Sequence, residues 1–375
     1  MSQPRSDQIL AIDAVRFLCA LLVVAHHYAA MLPIVAPMWA GEVALPRDWA
    51  GWSWAGWIGV ELFFVVSGYV IAISAEQGAA GSFLRRRALR LVPAAWLCAS
   101  ITSVVALAAG IFAWPVVLAR WSASIVFDPF VKQADPSSWT LGIEVSFYGL
   151  VALALYCGGR RRAVEAIGAG LAIISAVWWL SRATGLVPAV ESKMLDLLLV
   201  THGAFFAIGI ALWTIRAGIT PLRMLTLGVG LVAGTIEIVS QAHFMATGLT
   251  LPAGPALPLG IFAAGVCAIA AAGALQAPLA RWIGSGPLKI AGLATYPLYL
   301  IHQQAGFVVI LWLTQHGVEG HLAMLGTAAL ALCVAIAIVR WAEPPLRRWL
   351  AARIDALSRR GSGRDTLPSA SLPAG

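Results

Sequence analysis

The chain has 375 residues, of which 60% are hydrophobic and only 11% charged, with a formal net charge of +8. This composition excludes a soluble globular enzyme and leaves a polytopic helical membrane protein, since about 20 apolar residues make one span. In a soluble chain the positive charge would point to nucleic acid; here it reads as membrane topology, with lipids and not nucleic acid around the protein.

Ten spans are predicted, roughly 9–31, 54–75, 93–113, 139–158, 164–182, 195–215, 224–244, 255–275, 289–314 and 321–341. They make an all-α transmembrane bundle in which an even span number puts both termini on one side. If that side is the cytoplasm, nineteen Lys and Arg lie inside and five outside (Arg47, Arg120, Lys132, Arg182, Lys193), with Arg16 within the first span. That bias orients the bundle by the positive-inside rule. The first apolar run shows no small-residue cleavage site and is interrupted by Asp13 and Arg16, so it reads as a retained span. Residues 1–345 form the membrane domain. Residues 346–375 are expected to be a basic, disordered cytoplasmic tail. The loop 114–138 is expected to carry a short helix on or dipping into the membrane. The Trp-rich stretch from Pro46 to Trp54 reads as an interfacial belt. Cys19, Cys98, Cys157, Cys267 and Cys333 stand singly and read as buried free thiols; no disulfide framework, CxxC or Cys/His metal-ligand spacing appears.

Charged and titratable groups inside a span cost enough to mark a site. In the first span, Arg16 and His27 are eleven residues apart, which at about 100° per residue returns them to within roughly 20° of one helix face, about 16 Å apart along the axis. That stripe suits an extended ligand; a signal anchor with a snorkelling Arg and two helix-packing histidines is the plainer alternative. His26 lies about 100° away and is expected to face a neighbouring helix. In the second span Glu61 lies in the outer half, and Ser67-Gly68 lets a helix or a ligand approach closely. The following inner loop carries Arg85, Arg86, Arg87 and Arg90. Arg87 and Arg90 sit one turn apart and Arg86 and Arg90 are an i,i+4 pair, an arrangement fit for phosphates as well as for topology. Span four opens on Trp139 and places Glu144 about 7 Å below the outer boundary, with Tyr148 one turn on. His202 lies in span six; Tyr299 and His302 share a face of span nine.

In this order the segments resemble the acyltransferase-3 family of bacterial integral-membrane acyltransferases. The match is carried by Arg16 with His27 after ten intervening residues, Glu61-Leu62-Phe63-Phe64-Val65-Val66-Ser67-Gly68-Tyr69, and Arg87-x-x-Arg90 before Pro93. Trp139-Thr140-Leu141-Gly142-Ile143-Glu144 with Phe147-Tyr148, and Tyr296 to His302, complete it. The resemblance implies transfer of an acyl group, usually acetyl from acetyl-CoA, to a hydroxyl of an envelope saccharide, a lipid-linked glycan or a small acceptor, at the bacterial inner membrane. No permanently bound cofactor or metal is implied, and acyl-CoA is a co-substrate. On that reading His27 and Glu144 are catalytic, and Arg16, Arg86, Arg87 and Arg90 hold acyl-CoA. Asp13, Glu61, Ser67, Trp139, Tyr148, Tyr299 and His302 support the acceptor side. His27 can act as general base or carry the acyl group itself. A secondary transporter would also place Arg, Glu and His in the membrane but would favour a repeated half; a non-catalytic assembly protein is the third reading.

Overall fold

A backbone in hydrocarbon has to satisfy its own N–H and C=O groups, and every regular element among the described residues is a helix. The computed structural model describes residues 9–40, 45–76, 78–188, 192–251 and 253–362. In chain order the apolar helices begin with α1 (Leu10–Pro37), α2 (Ala50–Ala75) and α3 (Ala80–Ala108). A short α4 (Trp114–Val126) fills the expected external connection. Then come α5 (Pro136–Tyr156), α6 (Arg161–Ala183), α7 (Gly203–Ile215) and α8 (Pro221–Gly248). Two bent pairs follow, α9 (Ala256–Ala270) with α10 (Ala272–Trp282), and α11 (Ser285–Ile301) with α12 (Gln304–Gln315). The last apolar helix is α13 (Gly320–Leu357).

Each of the ten expected spans thus coincides with an apolar element, but not always with a whole helix. Seven are long and apolar enough to cross a membrane, and the bent pairs turn by 88° and 71° at their breaks. The helix α7 has only 13 residues, about 20 Å at 1.5 Å per residue. Its shortness goes with its position, packed among α2, α6 and α8. The α2–α7 crossing brings backbone onto backbone. A Cβ on Gly209 would stand 2.0 Å from the Val65 carbonyl oxygen, and one on Gly68 2.2 Å from that of Phe206. Small residues permit such an approach, and dispersion along it replaces the hydrophobic drive that lipid cannot supply. Gly68 therefore serves helix packing. Phe205, Phe206 and Phe147 fill the fully buried space around it.

One end of the bundle gathers the starts of α1, α3 and α11, where Asp13 is coupled electrostatically to Arg16, Arg90 and Lys289; it is called the arginine end below. There Arg85 donates two bonds to the Asp355 carboxylate, at 2.8 and 2.9 Å. This pairing, with Arg347 bonded to Glu343 one turn away, accompanies a helix that runs from Glu343 to Ser362. The chain is therefore helical well past residue 346, where a disordered tail was expected to begin; residues 363–375 lie outside the described set. Two further expectations are corrected. Trp54 is buried at 3% exposure and not interfacial, because a 3₁₀ turn over Trp54–Trp57 tucks it against α1; Trp52 remains exposed. Of the cysteines only Cys19 and Cys98 are buried; Cys157, Cys267 and Cys333 are exposed free thiols on the outside of the bundle.

Candidate active site

The regular turn of α1 changes at the pair of histidines. Residues His26–Met31 form a π-helical segment, a distortion that recurs at functional sites because it re-aims side chains. His26, buried at 3% exposure, donates from Nδ1 to the Trp54 carbonyl oxygen at 2.8 Å. That bond turns it toward the neighbouring α2 turn and fastens the π segment there. His27 points the other way and meets His302, Nδ1 to Nε2 at 2.8 Å.

His302 sits in the break between α11 and α12. Where a helix stops, its last carbonyls lose their intrahelical partners. Tyr299 O is one of these; it accepts from His302 Nδ1 at 2.8 Å, and Ser137 Oγ, whose one proton it shares as an acceptor with Asp135, lies 2.8 Å away. A carbonyl only accepts, so His302 carries its proton on Nδ1 and its Nε2 is an acceptor in the neutral ring. His27, which is also bonded to the Val23 backbone, then donates from Nδ1, and its Nε2 carries the lone pair. The break orients two rings in series and sets which nitrogen of each is basic.

Asp135 builds the other side of the break. Its carboxylate accepts from Gln304 N at 3.0 Å and so caps the start of α12. It also accepts from Ser137 N at 2.9 Å and Ser137 Oγ at 2.5 Å. Tyr28 OH donates to the His302 carbonyl oxygen at 2.8 Å. Gly306 lets it in, since a Cβ there would stand 2.0 Å from that hydroxyl. Asp135, Ser137 and Tyr28 were not singled out from the sequence. For Asp135 a local signal existed, an Asp followed by Pro136 at the first helical position; for Tyr28 there was none.

At the arginine end, Arg87 bonds to Ser74 Oγ and lies over the rings of Phe83 and Tyr148, at 5.5 and 5.7 Å from their centroids. Arg86, exposed, reaches the Ser74 carbonyl oxygen at 3.3 Å. Arg16 and Arg90 are electrostatic neighbours of one another, together with Asp13, Glu144 and Tyr148. Neither is tied down by a hydrogen bond or ion pair to another described residue. Glu144 accepts from Ser67 Oγ at 3.1 Å and from Tyr148 OH. It was expected near the outer boundary, facing the acceptor or the imidazole. Ser67 reaches it across the α2–α5 contact and Tyr148 from one turn on along α5, and Arg16 and Arg87 are its electrostatic neighbours.

The remaining expected residues separate. Tyr299 OH accepts from Thr140 Oγ1 at 3.3 Å, and its ring packs edge-on to Phe63, so it belongs to the imidazole side. Glu61 lies beside His202 and Glu237. Trp139 leans on the His202 ring, centroids 5.6 Å apart, and lines a cavity of about 1210 Å³. Arg120, Lys132, Asp196, Gln304 and Trp312 share that lining. Gln304 is two residues beyond His302, so the cavity reaches the helix break.

A bundle of apolar helices with arginines gathered at one end and a basic imidazole pair at a helix break defines an integral membrane protein with a polar interior site. The family model described as an acyltransferase domain, that of the acyltransferase-3 family, matches residues 9–340, and the chain belongs to this family. It is similar to the exopolysaccharide production protein ExoZ of Rhizobium meliloti (strain 1021), with 31% identity over 133 residues. That stretch is 32% of this chain and 41% of the relative, so less than half of the relative's length is matched. No solved structure matches the chain.

Proposed function

We propose that this protein is a bacterial inner-membrane O-acetyltransferase that moves acetyl from acetyl-CoA to a hydroxyl of an exported or lipid-linked saccharide. The observation that carries the reading is the hydrogen-bonded pair His27–His302 at the helix break. In the proposed reaction His27 Nε2 removes the proton from the acceptor hydroxyl as that oxygen attacks the thioester carbonyl. The C–S bond breaks, the acetyl ester forms, and the proton passes from the imidazolium to the departing CoA thiolate. His302 Nε2 accepts from His27 Nδ1–H throughout and stabilises the imidazolium, a charge-assisted bond at that moment.

The arginine end, taken to face the cytoplasm by the positive-inside bias, would receive the CoA phosphates. Arg90 and Arg16 are the cations free to bind them, and Arg87 is already engaged by Ser74. The large cavity that reaches Gln304 suits the acceptor: Trp139 and Trp312 offer flat faces, and Arg120, Lys132 and Gln133 offer polar contacts along its wall. The name of the matched relative favours a polysaccharide acceptor over a small antibiotic-like one. The test is purified protein with radiolabelled acetyl-CoA and an envelope saccharide fraction. Label should move to saccharide with the wild type and not with His27→Ala. Absence of transfer by folded wild-type protein to any envelope fraction would remove this reading.

A further inference from the structure

Glu61 on α2, His202 just ahead of α7 and Glu237 on α8 come from distant points of the chain, yet their ligand atoms all lie within 4.8 Å of one another. His202 Nδ1 stands 2.7 Å from Glu237 Oε1 and 3.6 Å from Glu61 Oε2. Glu61 and Glu237 are only 5% and 3% exposed. Glu61 Oε2, Glu237 Oε2 and His202 Nδ1 are buried atoms without a well-formed hydrogen bond among the described residues.

His202 Nε2 faces Asp196 Oδ1 at 3.8 Å, and that oxygen is fixed by a 2.6 Å bond from Thr201 Oγ1. At 2.7 Å from Glu237 Oε1 the Nδ1 of the ion-free ring holds a proton, which a metal ion would displace, while Asp196 stands on the Nε2 side, as carboxylates do behind metal-bound histidines. With that proton displaced, one imidazole nitrogen and two carboxylate oxygens converge on one point. Among the described residues no Lys or Arg forms an ion pair with Glu61 or Glu237, whose ion-pair partner is His202. Two neighbouring buried carboxylates that share a single imidazole are incompletely compensated; a divalent ion between them neutralises both.

The ring is also held in advance of any ligand. Phe64 and Trp139 flank it, with centroids at 5.3 and 5.6 Å. Its loop is pinned to α6 by Ser175 Oγ donating to Val200 O at 2.8 Å and Trp179 Nε1 donating to Thr201 O at 2.9 Å. Leu199 in that loop takes φ 60°, a left-handed conformation that a branched side chain adopts only under constraint.

We propose that Glu61, His202 and Glu237 bind one divalent transition-metal cation, with Asp196 orienting the histidine from behind. One imidazole nitrogen and two carboxylates without a thiolate suit Zn²⁺ or Mn²⁺, whereas Mg²⁺ and Ca²⁺ prefer all-oxygen cages. The ion ties α2, α7 and α8 together behind Trp139 and so braces the cavity wall. Its role is structural, and the inference stands whether or not the acetyltransferase reading holds.

The test uses the full chain purified in detergent, stripped with a chelator and reloaded with Zn²⁺ or Mn²⁺. Elemental analysis should find one ion per chain, and the unfolding temperature should rise with ion concentration. Glu237→Gln should lose the ion. Asp196→Asn, which keeps every ligand, should weaken binding about 10- to 100-fold, and it serves where Glu237→Gln fails to accumulate. Wild-type protein that takes up neither ion, or an Asp196→Asn protein with wild-type affinity, would overturn the proposal and leave a cluster that shares protons.

Discussion

At the arginine end of α1, Arg16 has Asp13, Arg90 and Glu144 around it, contributed by α1, α3 and α5. At its other end His27 meets one imidazole, His302, 275 positions away in sequence. The first cluster is diffuse and redundant: several cations share the work, and two of them carry no fixed partner. The second is a single file of hydrogen bonds, from His27 through His302 to Tyr299 O, with one basic nitrogen at its head. A redundant electrostatic cluster should bind and degrade gracefully on mutation. A single file should fail at once when its first member is removed.

The largest expected effect is therefore at His27. Removing a general base typically costs about 10²- to 10⁴-fold in rate, so His27→Ala should leave little acetyl transfer at normal membrane abundance. His26→Ala, which loses the bond to Trp54 O, should keep transfer and lower the unfolding temperature. Equal, full transfer in both variants would break the comparison at its imidazole end. Next is His302→Ala: a hydrogen bond to a charged group contributes about 1.5–3 kcal/mol, so kcat should fall roughly 10- to 150-fold while KM for acetyl-CoA holds.

The arginine end should show the opposite pattern. Arg90→Ala or Arg16→Ala should raise KM for acetyl-CoA about tenfold, the loss of one charge-assisted phosphate contact, with a smaller change in kcat. Because Glu144 bonds to Ser67 and Tyr148 within this network, Glu144→Gln should also register in donor KM. A pure kcat loss would instead return Glu144 to the imidazole side.

Smaller effects concern the frame alone. Asp135→Ala strands the buried Gln304 N–H and should destabilise the protein by about 1–3 kcal/mol, read as a lower unfolding temperature. Arg85→Ala removes an exposed ion pair with Asp355, and surface pairs of this kind are screened and weak. Transfer and unfolding temperature should both stay at the wild-type level.

Composition and hydropathy by themselves determined the class of fold, because backbone groups in lipid can be satisfied only by helices or closed barrels. They also determined the ten apolar regions; the resemblance to a family came from the motifs, since Arg16, His27, Glu61 and the Arg87–Arg90 pair are local and spaced along single helices. Periodicity reads one helix at a time, and it assumes that the helix is regular. It therefore missed the π segment at His26, the break at His302 and the shortness of α7, each of which depends on what a neighbouring helix offers. Only the tertiary structure decided that His27 meets His302, that Glu144 bonds to Ser67 and Tyr148 and that Trp54 is buried. It alone joined Glu61 to His202 and Glu237, a set that no Cys/His spacing rule can find. Those contacts form between residues tens to hundreds of positions apart. They are selected by packing and by the cost of leaving a buried polar group unpaired.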